Sequence, residues 1–435
     1  MSLGGGVFLT QNKVAPGVYI NFMSAARSMV SVAERGTAAL ALELDWGLDN
    51  EVFTVESGDM LKNCRKIFGY DYTHAKMKGL RDLFLHAKTL YAYRLNGGVK
   101  AANAYATAKY SGTRGNALKI AIAESVDAED VYEVSTLLDD VVVDVQTVSE
   151  VSELTANDFV VFKADMTLEE TAGTALTGGT NAASISGTAY QTFLEKIESY
   201  RFNVLGCLSA ESTVKALYAA FTRRMRDEVG VKFQTVLYDM AADYEGIISL
   251  KNAVTDTGEN AASLVYWLTG KCAGCAVNQS NTNQVYDGEF TVNTNYTQSQ
   301  LEQLSTAGHF LLHKVGDAVR VFRDVNSFVS VTVNKGQDFG MNQVIRVLDQ
   351  MGNDIASLFA RQYLGLVQNN TAGRTALWND IVSYNQQLRL LGAIEEFDTA
   401  EIVVEEGDTR DSVVITNPVV PVMAMEKLYM TIIVR

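Results

Sequence analysis

Residues 189–239, AYQTFLEKIESYRFNVLGCLSAESTVKALYAAFTRRMRDEVGVKFQTVLYD, decide the fold class. AYQTFLEKIESY reads as a helix and FNVLGCL as a strand. ESTVKALYAAFTRRMRDEVG is again helical and KFQTVLYD again a strand. Strands and helices in alternation predict a largely parallel sheet with helices on its faces. Upstream, THAKMKGLRDLFLHAKTLYAYRL is an amphipathic helix running into a strand near residues 90–95, and Asn96-Gly97-Gly98 signals a turn. Downstream come GIISL, a long helical run to Cys275, and a hairpin, HFLLHKVGDAVRVFRD, turning at Val315-Gly316-Asp317. Two long helical runs follow, then the strands AEIVVEEG and DSVVITNP.

A chain of 435 residues is too long for one core, so two to four domains are expected. Between residues 99 and 180 the pattern changes to short β runs, ALKIAIA, DVVVDVQTV and DFVVFKA, as in a small all-β module inserted into the body. Charge is concentrated there. Residues 124–170 hold 14 acidic side chains and one basic one, Lys163, a net of −13 out of −15 for the whole chain. That surface disfavours nucleic acid and anionic membranes, and it reads as a solvated, outward-facing face.

The two ends are extended in character. In NPVVPVMAMEKLYMTIIVR, residues 417–435, Leu428, Met430, Ile432 and Val434 fall on one face, with Tyr429 and Ile433 on the other. In GGGVFLTQNKVAPGVYINFMS, Val14, Val18, Tyr19 and Ile20 surround a Pro16-Gly17 turn. Apolar strands at a terminus need a partner, which points to strands donated to neighbouring copies and hence to assembly. The only prolines are Pro16, Pro418 and Pro421, with 401 residues between the first two. Pro16, Gly17, Pro418 and Pro421 are therefore the expected hinges where each arm leaves the body.

Motifs for chemistry are lacking. The chain has no Walker loop, no G-x-G-x-x-G after a strand, and no H-E-x-x-H, G-x-S-x-G or EF-hand pattern. Cys272 and Cys275 form one C-x-x-C without a second ligand pair, late in an apolar helix, and read as buried small residues. His74, His86, His309 and His313 read as structural. The adjacent carboxylates Asp139–Asp140, Glu395–Glu396 and Glu405–Glu406 point to opposite faces of a strand, poor geometry for acid–base work. RRMRDEVG reads as a mixed-charge helix end engaged in ion pairs. With no signal peptide and no apolar run near 18 residues, the expectation is a protein made in a reducing bacterial cytoplasm.

Several strings carry a resemblance. LTGGTNAA, RRMRDEVG, YWLTGKCAGCAVNQSNT, DVNSFVSVTVNKGQDFGMNQVIRVLD and the terminal MEKLYMTIIVR resemble the tail sheath proteins of contractile bacteriophage tails. The similar branch is that of phages and phage-tail-like R-type bacteriocins of Gram-positive bacteria. The resemblance spans nearly the whole chain and is least specific over 99–180. It implies an α/β and α+β multidomain fold: a subtilisin-like α/β body, an inserted small all-β domain, a C-terminal α+β domain and extended terminal arms that exchange strands. It does not carry protease activity, since no Gly-Thr-Ser-Met-Ala string or Ser-His-Asp set is visible.

Together these readings predict an N-terminal arm over 1–24, mixed α/β over 25–98, and the acidic insertion over 99–180. A sheath α/β domain over 181–328, a C-terminal α+β domain over 329–417 and a C-terminal arm over 418–435 complete the expected order. The expected role is a structural, non-enzymatic, cofactor-free subunit of a contractile sheath. Its expected partners are further copies in stacked hexameric rings, an inner tail tube, and baseplate and tail-terminator proteins, with no nucleic acid and no membrane insertion. It would end up in a virion tail or a released particle. Arg346, Asp349, Asp354, Arg361 and Asp380, on the long helical runs, are expected to be exposed and to face the tube. The sheath of another injection machine, or an α/β hydrolase, are the alternatives.

Overall fold

A computed structural model describes residues 32–126 and 129–434. The central strands are short, apolar and buried on both faces, as parallel strands covered by helices must be. The first three are β1 (Thr37–Leu42), β2 (Val52–Glu56) and β3 (Thr89–Arg94). The insertion supplies β4 (Ala106–Ala108), β5 (Leu118–Glu124), β6 (Tyr132–Leu138), β7 (Val141–Val148), β8 (Val160–Phe162) and β9 (Thr171–Ala175). Then come β10 (Val204–Cys207), β11 (Gln234–Tyr238), β12 (Ile247–Leu250), β13 (His309–Val315) and β14 (Ala318–Arg323).

One sheet of eight strands runs β14-β13-β12-β11-β10-β1-β3-β2. The steps from β13 to β3 are all parallel, and the edge strands β14 and β2 are antiparallel. The predicted hairpin turns at Gly316, whose φ of +60° suits a residue without Cβ. In β1, side chains alternate between two cores. Ala38, Leu40 and Leu42 pack with Trp267 and Leu268 of helix Leu264–Gly274 and with Leu80 and Leu83 of helix Lys78–Phe84. Ala39 and Ala41 pack on the other side with Phe193 and Leu194 of helix Gly187–Ile197 and with Tyr218 of helix Ser212–Arg223.

The insertion is a β-sandwich-like unit with sheets β7-β6-β5-β9 and β4-β8 around its own core. It is welded to the body. Trp46, which lies in the body's sequence, is buried in the insertion's core beside Tyr110 and Phe159. The entering and leaving chains pair at Val99 and Thr180, whose amides exchange bonds of 3.0 and 3.1 Å. A Cβ at Gly98 would sit 2.1 Å from the Thr180 carbonyl oxygen, so that crossing requires glycine. Beneath it the Arg94 side chain is fully buried. Its guanidinium donates to the Leu44, Gly47 and Ser111 carbonyls, to Asp49 Oδ1 at 2.9 Å and to Asn181 Oδ1 at 3.2 Å.

The C-terminal part is built on helices Asn342–Gln362 and Thr371–Leu390, followed by the hairpin β15 (Val403–Glu406) and β16 (Val413–Thr416). The helices run back along each other: Met351 clusters with Tyr384 and Leu388, and Leu358 with Leu377 and Ile381.

Candidate functional site

Beyond its last anchor the C-terminal arm is open to water. Leu428 is 85% exposed, Ile432 74% and Val434 91%, and Tyr429, Met430 and Ile433 are equally open. Residues 422–434 form no strand within the chain. Six large apolar side chains in seven residues, presented to water on an extended segment, are a surface made to be covered. The side chains of the alternation expected over 428–434 are exposed on both of its faces. The other expected arm residues, Val14, Val18, Tyr19 and Ile20, and the turn Pro16-Gly17, lie outside the described residues.

The structure moves the root of this arm. Pro418 and Pro421 do not mark its departure. Ile394 and Pro421 form a bridge, in which the Glu395 amide donates to the Val420 carbonyl at 2.9 Å and the Val422 amide to the Ala393 carbonyl at 3.0 Å. The Ala424 amide then donates to Gln343 Oε1 at 3.0 Å. Finally Glu426 accepts from Thr282 Oγ1 at 2.7 Å and from Arg323 Nε at 2.8 Å. Only from Lys427 onward is the chain free of the body. Proline marks the approach to the arm because it cannot donate to a ladder, but backbone pairing fastens that approach.

Close in sequence to the arm lies an incomplete sheet. Among the described residues β15 and β16 pair only with each other. Val404, Val413 and Ile415 pack towards helix Thr371–Leu390, and Trp378 Nε1 of that helix donates to the Ile402 carbonyl at 2.8 Å. Val403 and Val414 remain exposed. Two strands are the minimum of a sheet, and among the described residues no strand pairs with either outer edge of this one.

The residues expected to face a tube require correction. Arg346, Asp349 and Asp354 are buried, not exposed. Arg346 pairs with buried Asp324 and donates to the Gln279 carbonyl at 2.6 Å. Asp349 accepts both terminal nitrogens of Arg226, at 2.6 and 2.8 Å. Asp354 accepts from Tyr384 Oη at 2.8 Å and Gln350 Nε2 at 2.9 Å. These groups fasten helix Asn342–Gln362 to the α/β sheet and to its partner helix. Asp380 is half-buried and accepts from Tyr363 Oη, while Arg361 is exposed. In RRMRDEVG, a π-helical turn, Arg224–Val229, swings Arg226 inward to Asp349. The same string is expected to engage in ion pairs; besides Arg226 with Asp349, Arg224 pairs with Glu198, while Asp227 accepts from Tyr244 Oη at 2.7 Å.

Other candidates for chemistry stay structural. The four cysteines are buried and unpaired, and burial pushes the Cys207 thiol up to about 12. His309 Nδ1 sits 2.9 Å from Ser249 Oγ within the sheet, and His86 Nε2 sits 3.0 Å from Asp287. Among the described residues no cluster of three histidine, cysteine or acidic side chains is placed to hold a metal. No described helix is long and apolar enough to cross a membrane.

The multidomain α/β fold with an inserted β unit and an exposed apolar C-terminal arm is the frame in which comparison with known proteins gives the family. Four family models match in succession: the tail sheath protein Gp18 domain III N-terminal region over 35–95, and the phage tail sheath protein beta-sandwich domain over 96–181. The phage tail sheath protein central domain follows over 183–327 and the phage tail sheath C-terminal domain over 334–435. The phage-like element PBSX protein XkdK of Bacillus subtilis is 33% identical over 99% of both chains. The sheath tail protein from Desulfitobacterium hafniense superposes with a TM-score of 0.80 at 34% identity, covering 93% of this chain and all of the other. The one from Listeria innocua gives 0.79 at 30% identity, over 91% and 94%. The anti-feeding prophage helical sheath in its contracted state gives 0.57 over 97% and 99%, at 12% identity a likeness of fold alone. The chain belongs to the phage tail sheath family.

Proposed function

We propose that this chain polymerises around an inner tube by strand exchange and contracts from a metastable extended lattice, driving the tube through a target envelope. The observation that carries this reading is the exposed, alternating arm over 428–434 in a chain that also holds a two-stranded sheet with open edges. The arm of one copy adds to β15–β16 of a neighbour. Leu428, Met430, Ile432 and Val434 then exchange water for protein, a gross gain of about 1.5–3 kcal/mol per side chain before ordering entropy.

The work of contraction comes from repacking between copies, so the subunit needs neither cofactor nor hydrolysis and acts as a structural part, not an enzyme. The acidic insertion faces outward, because a surface of net −13 repeated at every lattice contact would repel. Of the residues considered for the tube contact, exposed Arg361 is the remaining candidate. Baseplate and terminator proteins bound the polymer at its ends.

Deleting residues 427–435 tests the reading. The truncated chain should stay a folded monomer with an unchanged urea midpoint and should form no long sheaths in electron micrographs. Normal sheaths from that truncation would refute strand exchange by this arm.

A further inference from the structure

We propose that Glu426 is the root clamp of the C-terminal arm: its carboxylate fixes where the arm leaves the body and so sets the reach of the exchanged strand. The inference rests on the strand-exchange reading and adds a residue and a length to it.

The clamp is wired into a buried polar centre. Glu426 Oε1 accepts from Thr282 Oγ1, and Oε2 accepts from Arg323 Nε at the end of edge strand β14. The same Thr282 oxygen accepts the Asp324 amide at 3.0 Å. Asp324, fully buried, in turn accepts from Arg346 and, at 2.8 Å, from Asn342 Nδ2. The arm root is thus tied through two residues to the ion pair that seats helix Asn342–Gln362 on the sheet. Gln343 of that helix holds the Ala424 amide. The root therefore staples the α/β sheet to the C-terminal helices at the point where the arm departs.

The geometry has a consequence for length. With the clamp closed, the free arm starts at Lys427. With it open, the lone bond from the Ala424 amide to Gln343 frays with it, and the next backbone–backbone anchor towards the N-terminus is the Val422 amide on Ala393. Residues 423–426 then join the tether, adding about 13 Å of reach at about 3.3 Å per residue. A neighbour's sheet would be reached by arms of variable length, and lattice spacing would lose its definition. The clamp is also weak enough to open. Arg323 is 40% exposed while Glu426 is 15%, so water reaches the pair from the arginine side, and it holds by its geometry more than by Coulomb energy.

The test uses the full-length chain, unmodified and as Glu426→Gln, Arg323→Glu, and the double variant Arg323→Glu with Glu426→Arg, which restores an opposite-charge pair. Hydrogen exchange on the monomers and electron microscopy of polymers are read together. Glu426→Gln and Arg323→Glu should raise exchange at the Ala424 amide about tenfold, leave the Val422 amide unchanged, and give short or irregular polymers with a broadened axial repeat. The double variant should restore both protection and a single repeat. Sheaths of unaltered repeat from Glu426→Gln, despite the faster exchange, would overturn the clamp while leaving strand exchange standing. A folded double variant that regains protection but not the repeat would also overturn it. An unmodified chain that never polymerises would overturn both readings.

Discussion

Two parts of this molecule hang from the α/β sheet, and they are attached in opposite ways. The β insertion is held by Arg94, a fully buried guanidinium with acceptors on both sides of the neck. The C-terminal arm is held by Glu426 and a half-open arginine. Around Arg94 the neck adds Asp45, which accepts from Tyr70 Oη and Asn181 Nδ2, both at 2.7 Å, and pairs with Lys76. Burial alone would raise the Asp45 pKa, but these donors override it and hold the carboxyl at about 2. Tyr70 is itself sandwiched by the His74 ring at 4.3 Å and the Arg114 guanidinium at 4.5 Å. A buried charge whose three nitrogens all have acceptors cannot be released without stranding its partners, whereas a partly solvated pair exchanges its partner for water at lower cost. The insertion should therefore move with the body as one piece, and the arm should be the part that changes partners.

That contrast can be broken by substitution. The largest effect should come from Arg94→Met, which leaves Asp49 and the buried Leu44, Gly47 and Ser111 carbonyls without their donor. A loss of about 3–5 kcal/mol in urea unfolding is expected, with faster amide exchange on both sides of the neck. If protection of the insertion survives that change, the neck is not the weld described here.

Asp45→Asn should have an intermediate and pH-dependent effect. The folded carboxyl, at about 2, lies below its unfolded value of about 4. Its contribution is therefore complete above about pH 4–5 and disappears as pH falls through about 2. The substitution should cost about 2 kcal/mol at pH 7, and the gap between variant and parent should close as the pH is lowered from about 4. A difference that stays constant from pH 7 to pH 3 would assign the effect to packing and not to the charge. At the small end, Glu426→Gln should change monomer stability by less than about 1 kcal/mol, its consequence appearing only in the polymer. Equal costs for Arg94→Met and Glu426→Gln in the monomer would erase the distinction between the two attachments.

The helix Asn342–Gln362 shows where sequence reading stops. Asn342, Arg346, Asp349, Gln350 and Asp354 recur at spacings of three and four, so their sharing of one face was legible. A polar stripe ordinarily faces water, and that is the expectation the structure overturned. The charges are buried because their partners, Asp324 and Arg226, come from elements 22 and 123 residues away. Nothing local distinguishes a carboxylate destined for solvent from one destined for a distant arginine. Trp46 and Arg94 escaped notice for the same reason: each lies in body sequence and completes a structure formed by the insertion.

What the sequence determined alone is everything set by period and by turn chemistry. The parallel sheet, the hairpin at Gly316, the inserted β module, the long helices and the apolar alternation in the sequence of residues 428–434 are repeats of 2.0 or 3.6 residues, visible within a short window. Only the tertiary structure decided which polar residues are buried, how the insertion is welded, and that the arm begins at Lys427 and not at its prolines. Those outcomes depend on contacts between residues tens to hundreds of positions apart, such as Glu426 with Arg323 and Thr282. The free energy of such contacts exists only once the chain has closed the loops between them.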